Sequence, residues 1–428
     1  MKYIALFFIL SSLFITACQP DASQIKKEAT SSSPHESSQL KNEGESSFHQ
    51  SLLTLDSHVD ISREYMRQDA FDPGLNTDMK VDFNKMQLGG LDAAFFIVYV
   101  AQKKRDSAGY AAALTAAFKK FTAISKMTDE VHPDKIGLAL KADDVKRINN
   151  EGRLVAIIGV ENGFPIGKDL NLVDVFYQLG ARYMGLTHGG HNDICDSSYQ
   201  SLLLGDKKEE HGGMSEFGKQ VVKRMNQLGM IVDISHTSDK CVEDALVHSK
   251  APIIASHSGT RALQDHGRNL PDHLIKAIAE KGGVIQLVAY SGFIKKDPAR
   301  SNAYKQMKQE VAKAYKADKF DYKYHEHTPE YAQGMKTLNK EFPLATVSQF
   351  VDQIEHAIKI AGIDHVGISS DFGGGGEIQG WEDASSTENI TLELLKRGYS
   401  KKDIQKIWAD NFLRVWKVVE ELKEVSLN

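Results

Sequence analysis

From residue 52 onward, short and nearly continuous apolar runs alternate with stretches of helical spacing. The runs are LLTLDSHVD (52–60), LDAAFFIVYV (91–100), RLVAIIGVENG (153–163), ARYMGLTH (181–188), GMIVDISH (229–236), APIIASH (251–257), GGVIQLVAY (282–290) and HVGISSDF (365–372). A strand covered on both faces has no polar side, so these runs predict eight strands of a parallel sheet. Between them, residues 215–229, 272–282 and 346–362 carry helical spacing, with Ser215 and Asp272 as expected N-caps and Gly229, Gly282 and Gly362 as expected stops. Strand and helix in regular alternation predict an α/β protein closed as a (β/α)₈ TIM-type barrel, with loop insertions and C-terminal helices. An open doubly wound sheet competes, but no GxGxxG follows the first strand. The Lys-rich stretch 295–340 reads as a helical insertion or lid between the seventh and eighth strands. SKKDIQKIWADNFLRVWKVVEELKEV reads as a closing helix.

The N-terminal pattern is different. MKYIALFFILSSLFITAC has a basic start and an apolar run too short to span a bilayer comfortably. Ile15-Thr16-Ala17-Cys18 resembles a bacterial lipobox, which implies a signal peptide over residues 1–17 and lipidation of Cys18. Gln19 after the cysteine implies the outer membrane of a bacterial envelope, to which the exported protein would be anchored. Residues 18–50 are Ser/Glu/Lys-rich without apolar periodicity and read as a flexible tether, His49 included. The barrel domain is expected over residues 51–425.

Composition narrows the functional classes. Hydrophobic residues at 41% supply a large core, and a net charge of −5 without a basic block removes nucleic acid as an expected partner. The three cysteines, Cys18, Cys195 and Cys241, form neither a disulfide scaffold nor a zinc-finger spacing. Cys195 and Cys241 could pair after export, but nothing in their positions brings them together, and free buried thiols are the expectation.

Chemistry concentrates where a barrel keeps it, at the C-terminal ends of strands. His58 and Asp60 end the first run on one side of the strand, and Glu161, His188, His236, His257 and Asp371 end later ones. Singly, each has an ordinary reading. Asp60 could cap a helix, Glu161 could pair with a lysine, His188 could sit in the core, and Arg268 could lie on the surface. Together, imidazoles and carboxylates on one rim suit a binuclear zinc centre, in which a hydroxide is generated and a nearby carboxylate moves its proton. No GxSxG supports a serine nucleophile.

DSHVD, GVENG, LTHGGHNDICDSS, VDISH, ASHSGTRAL, GRNLPD, AGIDHVGISSDF and NFLRVW together resemble the membrane (renal) dipeptidase family of amidohydrolase-like barrels, over roughly residues 51–420. The resemblance implies hydrolysis of dipeptides by a hydroxide bridging two zinc ions. It implies His58, Asp60, Glu161 and Asp371 as ligands of one ion and Glu161, His236 and His257 as ligands of the other. Asp371 would also shuttle the proton, His188 would stabilise the oxyanion and bind substrate, and Arg268 would bind the substrate carboxylate. Expected partners are small dipeptides and, through the lipid anchor, the membrane, with a homodimer left open. Two departures touch the pocket: Gly373 and Gly374 stand after Asp371-Phe372 where the family often has an acidic residue, implying a flexible loop, and the spacing within THGGHNDICDSS is unusual. Hydrolysis of another small amide, lactone or β-lactam and a non-catalytic lipid-anchored binding role are the alternatives.

Overall fold

A computed structural model describes residues 44–325 and 328–423. The expected signal peptide, Cys18 and most of the tether lie outside the described residues. The strands are β1 (Leu55–Asp60), β2 (Ala93–Tyr99), β3 (Ile136–Leu138), β4 (Leu154–Glu161), β5 (Ala181–Gly185), β6 (Ile231–Asp233), β7 (Ile254–Ser258), β8 (Val284–Val288) and β9 (Val366–Ser369). All eight expected strands form, and β3 is an additional short strand that pairs with β4.

The parallel order is β1-β2-β4-β5-β6-β7-β8-β9. The ring closes through a bridge between Val59 and Phe372, where the Asp60 N–H donates to the Phe372 carbonyl at 2.8 Å. Two apolar layers follow from strand alternation. Leu55, Phe95, Ile157 and Tyr183 face inward and meet Phe412 and Trp416 of the C-terminal helix, with Phe95 and Phe412 rings 4.9 Å apart. Phe96, Val98, Ile158 and Val160 face outward and pack in the core shared with the surrounding helices. The inner layer fills the barrel below the strand ends, which leaves only the upper rim for polar chemistry.

For the three helices expected from the sequence, local signals set the boundaries with one exception. Ser215 caps Glu216–Leu228 by accepting from Gly218 N, and Gly229 ends it at φ 76°. Thr346 and Gln349 form a capping box on Val347–Ala361, which stops at Gly362. Asp272, however, is the first residue of its helix after Pro271, and its side chain accepts from His356 Nε2 at 2.8 Å instead of capping. The 295–340 insertion is helical over Pro298–Ala314, Tyr322–His325 and Pro329–Glu341.

Two further expectations are corrected. The compact body begins at Glu45 rather than residue 51. His49 is buried and bonds Thr391 Oγ1 and the Gly89 carbonyl, both at 2.7 Å, which ties it to the body. Cys195 and Cys241 are not free thiols: they form a disulfide, with Cα atoms 6.3 Å apart. The segment after β5 and the helix after β6 bring them together, a pairing that residues 46 apart in sequence do not announce.

Candidate metal centre

Glu161, the last residue of β4, stands at the middle of the upper rim. Its Oε2 is 3.6 Å from His58 Nε2 on β1, while its Oε1 is 2.9 Å from His236 Nε2 and 3.3 Å from His257 Nε2. Asp60 Oδ2 and Asp371 Oδ1 approach the same His58 nitrogen at 3.3 and 4.0 Å. His188 adds Nε2 at 3.7 Å from Glu161 Oε1. The expected ligand residues therefore do converge. Three overlapping groups each have ligand atoms within 4.8 Å of one another: His58/Glu161/His257, Glu161/His188/His236 and His58/Asp60/Asp371.

The imidazoles are oriented from beneath. Tyr183 donates its hydroxyl to the Ser57 carbonyl at 3.0 Å, so it accepts from His58 Nδ1–H, also at 3.0 Å. That leaves the His58 Nε2 lone pair aimed upward, and among the described residues this buried atom has no hydrogen-bond partner. Likewise Ser256 donates Oγ–H to Asp233 Oδ2 at 2.7 Å and accepts from His257 Nδ1–H at 2.8 Å. Fixing the far nitrogen of an imidazole in this way is how proteins prepare a metal ligand. Gly159 makes room for the first device, because a Cβ there would overlap the Tyr183 ring.

Backbone strain collects at the same rim. His236 at φ 69° and Asp371 at φ 58° occupy the left-handed region, as does Asn162 at φ 72° directly after Glu161. Asn162 is held by donating to the Val100 carbonyl at 3.0 Å and by accepting from Phe164 N at 3.2 Å. The carbonyl of His236 accepts from Ser198 N at 2.8 Å. The glycine run after Asp371, expected as a flexible loop, is a hydrogen-bonded turn: Gly374 N and Gly376 N donate to the Asp371 carbonyl at 3.1 and 2.8 Å.

The electrostatics are those of a crowded site. Burial alone would raise Glu161, but the facing His188, His58, His236 and His257 hold its carboxyl well below the usual range. Burial opposes protonation of His58, yet Glu161 and Asp60 outweigh it and push His58 well above its ordinary value. Burial holds His236 and His257 well below theirs, as neutral imidazoles do when they ligate. Burial also drives Asp371 well above the carboxylate range, with Asp60 and Glu161 adding to the effect against His58. Three carboxylates crowded with imidazoles whose lone pairs converge form a donor set that suits divalent cations, and Glu161, with one oxygen toward each bank, has the form of a bridge.

Arg268 is buried behind this cluster. Its Nη2 donates to the His257 carbonyl at 2.9 Å, its Nε has no hydrogen-bond partner among the described residues, and its guanidinium lies 5.4 Å from the Phe293 ring centre. Burial brings it down to about 10. Tyr183, Ser256 and Asp233, which orient the ligands, are not among the residues that the sequence singles out. Their only signal is alternation, which turns Tyr183 inward.

A family model described as Membrane dipeptidase (Peptidase family M19) matches residues 43–428. Dipeptidase tcpJ of Claviceps purpurea (strain 20.1) is 30% identical over 364 residues, 84% of this chain and 74% of that protein. The crystal structure of the probable dipeptidase PvdM from Pseudomonas aeruginosa matches with a TM-score of 0.77 at 31% identity, over 89% of this chain and 98% of that one. A metallo peptidase from Rhodobacter sphaeroides, liganded with a phosphinate mimic of the dipeptide L-Ala-D-Ala, shares the fold with a TM-score of 0.66 at 20% identity, over 86% of this chain and 99% of that one.

Proposed function

The chain belongs to the membrane dipeptidase family and is a metallopeptidase of that type, and from this premise we propose that it cleaves dipeptides with two zinc ions. The observation that carries the reading is the division of Glu161, with Oε2 toward His58 at 3.6 Å and Oε1 toward His236 and His257 at 2.9 and 3.3 Å. On this reading His58, Asp60 and Asp371 hold one ion, His236 and His257 hold the other, and Glu161 joins them. Bound there, the pair would supply Lewis acidity and lower the pKa of water toward neutrality.

The chain's own groups do the rest. Arg268 takes the substrate carboxylate, for which an unpartnered buried guanidinium N–H is suited. His188 Nε2–H meets the negative charge growing on the carbonyl oxygen. Asp371 accepts the proton of the attacking water and passes it to the leaving amine, so one water is consumed and two amino acids leave.

Metal analysis of protein purified without chelator tests the reading. About two zinc ions per chain are expected in the wild type and far less in Glu161→Ala, with dipeptide turnover lost on chelation. Absence of bound metal, or turnover of cyclic amides and lactones with none of dipeptides, would overturn it.

We also propose that Cys18 carries a lipid anchor on an exported protein. The lipobox-like run supports this, as does the Cys195–Cys241 disulfide, since such bonds persist in oxidising compartments. Among the described residues no helix is long and apolar enough to cross a membrane. Fatty-acid labelling of the wild type that persists in Cys18→Ser would sink the anchor.

A further inference from the structure

The β2 side of the rim carries two polar groups that hydrolysis, as derived above, does not use. Tyr99 ends β2 level with Glu161, and its ring lies 4.6 Å from that of His188. Lys120, on helix Ser107–Ser125, holds its Nζ 5.6 Å from the centre of the Tyr99 ring. Among the described residues neither the Lys120 ammonium nor the Tyr99 hydroxyl has a hydrogen bond or ion pair.

Lys120 is half-buried, and an ammonium partly drawn in from water without a paired counter-charge is destabilised. The acidic groups whose field reaches Lys120 are Asp60 and Glu161, while Arg63 pushes against it. Both carboxylates are assigned above to cations, so their charge is already committed. Lys103 and Lys104, exposed on the loop after β2, add more of the same sign. The arrangement lacks an anion.

Position says which part of a substrate would bring one. In the order β1-β2-β4-β5-β6-β7-β8-β9, β2 stands four places from β7, after which Arg268 follows, so the two lie on opposite sides of the mouth. A dipeptide with its carboxylate on Arg268 and its carbonyl beside His188 directs its amino-terminal residue toward Tyr99 and Lys120. We propose that Lys120 is a specificity-determining residue which, with Tyr99, receives an anionic group on that residue, so that dipeptides beginning with an acidic side chain are the favoured substrates. The proposal rests on the dipeptidase reading. An uncharged first side chain leaves Lys120 facing only the like-charged α-amino group, whereas an acidic one supplies the missing counter-charge.

The test compares kcat/KM for Glu-Ala, Gln-Ala and Ala-Ala at pH 7.5 with metal-replete full-length protein. Wild type is expected to favour Glu-Ala over Gln-Ala at least tenfold. Lys120→Met should bring that ratio near one with Gln-Ala turnover changed less than threefold, and Lys120→Arg should keep the preference and so control for folding. Turnover of all three with no preference for Glu-Ala, or a preference untouched in Lys120→Met, overturns this proposal and leaves the dipeptidase reading standing. No turnover of any of them overturns both.

Discussion

The backbone N–H of Asp371 donates to the carbonyl of His58 across 3.1 Å. The seam that closes the barrel is thus built from two of the candidate ligands, and the geometry of the site depends on closure of the ring. The turn that follows is equally tight: a Cβ on Gly374 would overlap the carboxylates of both Asp60 and Asp371. Gly373, the position where the resemblance implies an acidic residue, is confined as well: it sits at φ 82°, and a Cβ there would overlap the Asp60 carbonyl.

Tyr183→Phe should leave the fold intact and weaken metal binding about 10–100-fold, because it removes the acceptor that fixes the His58 tautomer. Competition titration with a chromophoric chelator measures this. Unchanged affinity would mean that His58 needs no orienting partner.

Arg268→Ala should depress kcat/KM for free dipeptides by about 100-fold or more, on the order of 3 kcal/mol for a lost charge-assisted pair, and should affect C-terminally amidated ones far less. Equal losses on both substrate types would remove its role as a carboxylate anchor.

Separating Cys195 from Cys241 should cost about 2–4 kcal/mol, because the bond closes a long loop in the unfolded chain. Cys195→Ser with Cys241→Ser, followed by urea denaturation, reads the loss. A midpoint equal to that of the oxidised wild type would contradict it.

Stability should fall in acid partly through surface pairs. Arg224 holds Asp174 below its ordinary value by hydrogen bonding, and Arg105 does the same for Glu210. A carboxylate depressed in the folded state contributes stability above its unfolded pKa of about 4, and that contribution disappears as pH falls through the folded value. Both pairs are partly exposed, so each is worth at most about 1 kcal/mol. Asp174→Asn should therefore be less stable than wild type at pH 7, with the gap narrowing toward pH 2. A gap of constant size would refute the assignment.

Much of this architecture is legible in the amino-acid sequence. The eight strands stand where the apolar runs predict them, and His58, Asp60, Glu161, His236, His257 and Asp371 do gather at their ends. Less is legible where the signal is not local. His49 sits in a polar segment, and only packing against Thr391 and Gly89 brings it into the body. Asp272 looks like a cap, but Pro271 precedes it and His356 claims its carboxylate.

Periodicity of apolar and polar positions determined the barrel and the level at which its chemistry stands, because burial on both faces of a strand and the placing of polar groups at its end are properties of neighbouring residues. Only the tertiary structure decided which side chains meet across the ring. Those meetings join residues far apart in the chain, as Tyr183 meets His58, Cys195 meets Cys241 and Lys120 meets Tyr99. They depend on strand stagger and on room left by small residues such as Gly159, which no local pattern encodes.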